Sequence, residues 1–181
     1  MDGREASAAA ERAEFGGAVY GSLLAASVVA GSAAEGGPPS PPELVTLLVC
    51  TGVVFWITHV YVQVVSSGYP AKPLTWANLR TVARREWPLA QASFPPSIAA
   101  AMASGLGMSN AVAAWAALCV AVASQVTWAV TAAVKIGSSR RVVVISGIAN
   151  LALGLAIVAL KTVVAGHRRQ DRLAGERDQR L

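Results

Sequence analysis

The chain has 181 residues, of which 54% are hydrophobic and only 14% are charged, and its formal net charge is +5. Most charges lie between long uncharged segments, as in membrane proteins, and the short polar stretches that remain exclude a sizeable aqueous domain. In a membrane protein, excess Lys and Arg marks the cytoplasmic side and contact with anionic lipid, so the charge does not indicate nucleic-acid binding.

Residues 1–14 predict a short cytoplasmic helix that leads into a first membrane span over residues 15–34. They are rich in Ala, Glu and Arg, which are good helix formers. The alternative is a signal peptide cleaved near residue 34, but the acidic residues at the start do not suit the positive region that such a peptide needs. Within the span, Gly17 and Gly21 form a small-residue stripe that lets another helix approach closely.

Residues 44–66 predict the second span, because about 23 residues without a charged side chain can cross a bilayer as one helix. The Pro-rich and Gly-rich turn before it, residues 35–43, has no basic residue and is expected to face outward. His59 and Gln63 lie one helical turn apart on the polar face of this span. Polar groups in hydrocarbon are costly, so they mark either a functional path or hydrogen bonds that hold helices together.

Residues 67–87 form a basic loop that the positive-inside rule places in the cytoplasm. Arg80, Arg84 and Arg85 would lie on one side of a short helix capped by Thr75, with apolar residues on the other side. This pattern is typical of an amphipathic helix on the membrane surface. A charged loop with a single helical turn explains the same residues.

Residues 89–106 predict the weakest span, which starts just after Pro88 and contains Gln91. Pro95 and Pro96 remove backbone donors and are expected to kink or break it. Irregular backbone at membrane depth has to be covered by protein or line a cavity. The segment therefore either crosses as a buried, broken helix or re-enters on the same side.

Two further spans are predicted over residues 111–134 and 142–165. Gln125 lies on one face of the former, and Asn150 and Gly154 share a stripe of the latter. Between them, Arg140 and Arg141 belong to a second basic loop. Residues 167–181 form a charged tail, which we expect to be frayed.

The predicted fold is all-α: a polytopic helical bundle over residues 15–166 with five spans and a cytoplasmic N-terminus. This topology leaves both outer loops without positive charge but puts a basic tail outside, and a re-entrant third segment would reverse the side of the tail. The abundance of Ala and Arg indicates a bacterial plasma membrane. We expect contact with the lipid bilayer and assembly as a homo-oligomer or with a membrane partner.

The leading functional hypothesis is a small channel or transporter-like protein for protons or small solutes. Its polar intramembrane path would consist of His59, Gln63, Gln91, Gln125 and Asn150. The alternative is a non-transporting membrane subunit or scaffold in which these side chains only join helices. The sequence has none of the common catalytic motifs and no metal-ligand spacing, so neither an enzyme nor a cofactor is predicted.

Overall fold

A computed structural model of the protein describes residues 3–32, 37–67, 75–135 and 137–178, and side chains within 15–32, 37–67, 75–135 and 137–159. The described residues form six helices and no strand, which confirms the all-α class. The helices are α1 (Gly3–Gly31), α2 (Pro41–Ser66), α3 (Trp76–Gln91), α4 (Phe94–Gly105), α5 (Asn110–Lys135) and α6 (Arg140–Asp178).

Three described segments are long and apolar enough to cross a membrane: Pro41–Ser66, Asn110–Lys135 and Arg140–Ala159. A shorter apolar segment covers Phe15–Gly31. In the apolar window of Arg140–Ala159 only 6% of the residues are fully buried within the protein, so most of this segment is exposed or half-buried. An outward apolar surface of this extent is compatible with a membrane protein and is unusual on a soluble monomer.

Local sequence signals explain where the helices begin and turn. Before α2, the Ser40 backbone N–H and hydroxyl both donate to the Glu43 carboxylate, at 3.0 and 2.9 Å, which ties down the helix start. At α3, the Thr75 hydroxyl accepts a hydrogen bond from the Asn78 backbone N–H. Gly137, between α5 and α6, has a φ of 69°, which glycine adopts without steric cost.

The chain runs up and down through the bundle, as its contacts show. Gln63 near the end of α2 contacts Glu86 of α3, whereas Gly52, nearer the middle of α2, lies against Ser93 just after α3. The two helices are therefore antiparallel. Helix α4 then packs on α5, and α5 packs on α1 and α6.

The helical segment between residues 76 and 105 is broken at Ala92 and Ser93. Helix α3 packs on α1 and α2, α4 packs mainly on α5 and α2, and α3 and α4 hardly touch each other. Pro95 and Pro96 lie in the first turn of α4. The prolines thus follow the break rather than lying within it.

A continuous apolar core fills the end of the bundle opposite the Lys135–Arg140 loop. It contains only Ala, Val and Leu side chains, which are almost fully buried. Its members are Ala25, Ala26, Val29, Leu44, Leu48, Ala100, Ala114, Ala117, Leu118 and Ala121. We call this part of the molecule the apolar half.

The structure changes the predicted boundaries around the third segment. Helix α3 starts at Trp76 and contains Pro88 in its interior, whereas the sequence suggested a surface helix followed by a new helix at Pro88. The apolar side of α3 is covered by α1 and α2, and this packing carries the helix past the proline. Helix α6 continues to Asp178, so much of the tail that was expected to be frayed is helical.

Candidate functional site

A buried carboxylate lies between α2 and α3. Glu86 is only 8% exposed, and its Oε1 accepts a hydrogen bond from Gln63 Nε2 at 3.3 Å. No basic side chain forms an ion pair with it in the described part of the chain. The Gln63 amide is therefore the hydrogen-bond partner that the described structure shows for this buried carboxylate.

Two tryptophans hold α3 beside α2 next to this carboxylate. The Trp56 indole N–H donates to the backbone carbonyl of Ala83 at 2.8 Å, and the Trp56 and Trp87 rings pack edge to face with centroids 5.2 Å apart. Both contacts fix the position of the α3 turn that carries Glu86. The carboxylate is therefore held in place by packing as well as by its hydrogen bond.

His59 lies one turn further into α2 than Gln63. Its Nδ1 is 3.1 Å from the backbone carbonyl of Phe55, and a bond there makes Nδ1 the protonated nitrogen, which leaves Nε2 as an acceptor in the neutral ring. The ring of Tyr20 on α1 is 5.6 Å from the His59 ring. Tyr20 is therefore the first group beyond His59.

Gln125 and Asn150 form a second polar pair, between α5 and α6. Gln125 is fully buried, and its Nε2 donates to both the backbone oxygen and the Oδ1 of Asn150, at 3.2 and 3.3 Å. Asn150 Nδ2 donates to the Ser146 carbonyl at 3.0 Å. Gln125 Oε1 has no hydrogen-bond partner among the described residues.

An open groove of about 470 Å³ lies between α1, α5 and α6. Gln125, Asn150 and Ser146 contribute polar groups to its wall, and Tyr20 lines it from α1. Tyr20 therefore both contacts the His59 ring and lines the groove. We call Tyr20, His59, Gln63, Glu86, Gln125 and Asn150 the polar half of the molecule.

The five residues of the predicted path do not form one hydrogen-bonded chain. Gln125 bonds Asn150, Gln63 bonds Glu86, and His59 bonds its own helix. Gln91 is exposed and has no hydrogen bond in the described part of the protein. Tyr20, which contacts His59 and lines the groove, lies between the two pairs only by these two contacts.

The predicted packing glycines lie where helices approach closely, but to different degrees. A Cβ built at Gly21 would lie 2.5 Å from the Leu89 carbonyl oxygen, and one at Gly154 would lie 2.6 Å from Val122 Cγ1. At Gly17 the nearest atom would be at an ordinary 3.7 Å. Gly52, which the sequence analysis did not single out for packing, is 2.8 Å from the Ser93 hydroxyl by the same measure.

The five predicted interfacial arginines, Arg80, Arg84, Arg85, Arg140 and Arg141, are all exposed. Lys135, in the same loop region as Arg140, places its Nζ 5.0 Å from the centre of the Phe15 ring. Phe15 in turn packs against Trp128, with ring centroids 6.0 Å apart. Lys135 thus lies close to the groove, because Phe15 is one of the residues that line it.

The sequence suggests Glu86, at a helix start, as an entry group for protons or cations, but it does not single out Tyr20. Both residues join the polar half through a contact with another helix: Tyr20 contacts His59, and Glu86 accepts a hydrogen bond from Gln63. Their one sequence signal was the position of each within or beside an uncharged segment.

Within the described residues, no three His, Cys, Asp or Glu side chains lie close enough together to hold a metal ion. Comparison with known proteins found no family model, no curated protein and no solved structure that matches this chain.

Proposed function

We propose that this protein is a small multi-pass membrane protein that moves protons, or another small polar species, through the polar half of its bundle. The observation that carries the proposal is Glu86: a nearly buried carboxylate beside a candidate span, paired with the amide of Gln63. Ionisable groups in such surroundings are rare and commonly belong to ion or proton pathways.

The neighbours of Glu86 support a proton as the moving species. Gln63 and His59 lie one turn apart on the same face of α2, and Tyr20 lies against His59. Carboxyl, imidazole and phenol groups can all donate and accept protons. The order Glu86, Gln63, His59, Tyr20 leads from the basic loops toward the groove.

The apolar half supports a gated mechanism rather than an open pore. Beyond the groove, the bundle is filled by the closely packed Ala, Val and Leu core. A proton or solute cannot cross such a core without water or polar groups. Transport then requires a second conformation or a path completed in an oligomer, as in proteins that alternate access.

Proton flux into liposomes tests the proposal directly. We expect parent protein in vesicles with an imposed pH gradient to dissipate it faster than empty vesicles, and Glu86→Gln to slow this flux by about tenfold or more, because a proton carrier is lost. Glu43→Gln removes an exposed carboxylate at the start of α2 and serves as the matched control, with flux equal to the parent.

Two results would contradict the proposal. One is parent flux no greater than that of empty vesicles over a range of gradients and membrane potentials. The other is flux that is unchanged in both Glu86→Gln and His59→Ala. Orientation and protein content of the vesicles are measured for every variant so that a loss of insertion is not read as a loss of flux.

The alternative, a non-transporting subunit or scaffold, is favoured by the Gln125–Asn150 pair. One amide donates to two acceptors across α5 and α6, which is an arrangement that holds helices together. Gentle solubilisation and affinity purification distinguish the two proposals. A second protein in stoichiometric amount, together with no flux from the isolated chain, would favour the subunit.

A further inference from the structure

Gln125, on the wall of the groove between α1, α5 and α6, has an acceptor atom, Oε1, that lacks a hydrogen-bond partner among the described residues. Its neighbours fix the orientation of its amide group. Asn150 Nδ2 is already used by the Ser146 carbonyl, so Asn150 presents two oxygens to Gln125. Gln125 has to meet them with its Nε2 donor, since reversing its amide would oppose oxygen to oxygen. Oε1 is therefore the atom left without a partner in the described part of the structure.

A buried acceptor without a donor is costly. Leaving such a group unpaired loses the hydrogen bonds that water would make with it. Gln125 is among the residues that line the groove, but Oε1 itself has almost no accessible surface, so a molecule in the groove meets Oε1 only when the Gln125 side chain shifts. The groove and an acceptor that lacks a hydrogen-bond donor among the described residues therefore belong to the same part of the protein.

The lining of the groove defines the chemistry of a matching molecule. Its volume of about 470 Å³ falls within the ordinary range for small-molecule sites. The wall is mostly apolar, with Phe15, Val19 and Leu23 on one side and Leu153 on the other. Among the described residues, none of those that line the groove is Asp, Glu, Lys or Arg, so the wall favours a neutral ligand.

We propose that this groove binds a neutral, lipid-soluble molecule with a hydroxyl donor, whose hydroxyl pairs with Gln125 Oε1 and whose apolar body lies against α1 and α6. This inference does not rest on transport along Glu86 and His59, since the two sites share only Tyr20. A lipid tail fills the volume but leaves Oε1 unpaired. Water pairs Oε1 but gains nothing from the apolar wall.

A pair of probes that differ only in the donor tests the proposal. Tritiated 4-octylphenol is bound to the full-length protein in nanodiscs of phosphatidylethanolamine and phosphatidylglycerol, with empty nanodiscs as background. Unlabelled 4-octylphenol and 4-octylanisole then compete for the site. The methyl ether keeps the ring and chain but cannot donate, so we expect it to bind about tenfold more weakly than the phenol.

Two variants locate the site. Gln125→Leu is expected to remove the difference between phenol and ether, and Ala132→Phe is expected to remove saturable binding by filling the groove while leaving Gln125 intact. Ala132 lines the groove. The matched controls are Gln91→Leu, an exposed glutamine elsewhere, and Ala123→Phe, on the exposed side of α5; both should bind as the parent does.

Several outcomes would overturn the proposal. Equal competition by phenol and ether would mean that the groove takes any apolar chain. No saturable binding to the parent would mean that water or a second copy of the chain occupies it. Binding that survives Ala132→Phe unchanged would place the site elsewhere. If Gln125→Leu does not fold, Ala132→Phe and its control decide the matter.

Discussion

The polar and apolar halves of the bundle are built from different kinds of contact. In the apolar half, closely packed side chains bring four helices, α1, α2, α4 and α5, into one core of Ala, Val and Leu. In the polar half, two hydrogen-bonded pairs and one ring contact hold the helices, and a groove remains open between α1, α5 and α6. Polar groups need partners at fixed distances, so this half cannot close by packing alone.

From this difference we expect the apolar half to supply most of the free energy of folding and the polar half to hold the candidate functional groups. Dispersion between closely packed small residues is the main force available to helices within a lipid phase. The groove lacks those contacts along one side, so it contributes less stability and leaves room for a ligand. The following predictions test this division.

The largest effect is expected from shortening a leucine in the apolar half. Leu118 is fully buried, and Leu118→Ala should lower the free energy of unfolding by about 2 kcal/mol or more through the cavity it leaves. Leu23→Ala, on the wall of the groove, should cost about 1 kcal/mol or less, because that side chain already lacks neighbours on one side. Unfolding in mixed micelles by added dodecyl sulfate measures both.

If the two leucine variants lowered the free energy of unfolding equally, the proposed difference in packing between the two halves would be wrong. A larger cost at Leu23 would place the dense packing in the polar half. Both variants lose the same three carbon atoms, so the comparison does not depend on the absolute scale of the unfolding measurement.

A smaller effect is expected where α1 meets α3, at the boundary between the halves. Gly21→Ala places a methyl group against the Leu89 carbonyl, and moving backbone should cost about 1 to 3 kcal/mol. Gly17→Ala, one turn away on the same helix, meets only ordinary contacts and should change stability by no more than about 0.5 kcal/mol. The same unfolding assay compares them, and equal effects would contradict the close approach at Gly21.

The smallest effect is expected from the hydrogen bonds of the Gln125–Asn150 pair. A double-mutant cycle with Gln125→Leu and Asn150→Leu should give a coupling of about 0.6 kcal/mol, as is common for interhelical hydrogen bonds in membranes. Gln125→Leu also removes the unpaired Oε1, so the single variant should be nearly neutral. A coupling above about 2 kcal/mol would show that this pair is a major source of stability.

Much of the helical framework could be predicted because apolar runs and breakers are local. The uncharged segments around His59 and Gln125 are helices with nearly the expected bounds, whereas the helix that contains Asn150 continues to Asp178. The start of α3 was less predictable, because its apolar side is stabilised by α1 and α2. Contacts between side chains of different helices were harder still to predict. The spacing of Gln125 and Asn150 placed each on a polar stripe of its own helix, but it could not show that the two stripes face each other.

Glu86 illustrates the part of the site that sequence could not supply. Its neighbours Arg84 and Arg85 suggest an exposed, solvated charge, and both arginines are indeed exposed. Glu86 is buried because α3 turns that one position toward Gln63. The groove had even less signal in the sequence, since it is the space left between residues of three helices.

The break at Ala92 and Ser93 also affects how many backbone N–H groups inside the bundle lack an acceptor. A helix that starts in apolar surroundings normally exposes four backbone N–H groups with no acceptor. In α4, Pro95 and Pro96 have no N–H group, and the Ser97 N–H bonds the Ser93 carbonyl at 3.2 Å. Only the Phe94 N–H of the first turn remains to be satisfied. The two prolines thus allow a helix to begin among apolar neighbours with fewer backbone N–H groups that need water as an acceptor.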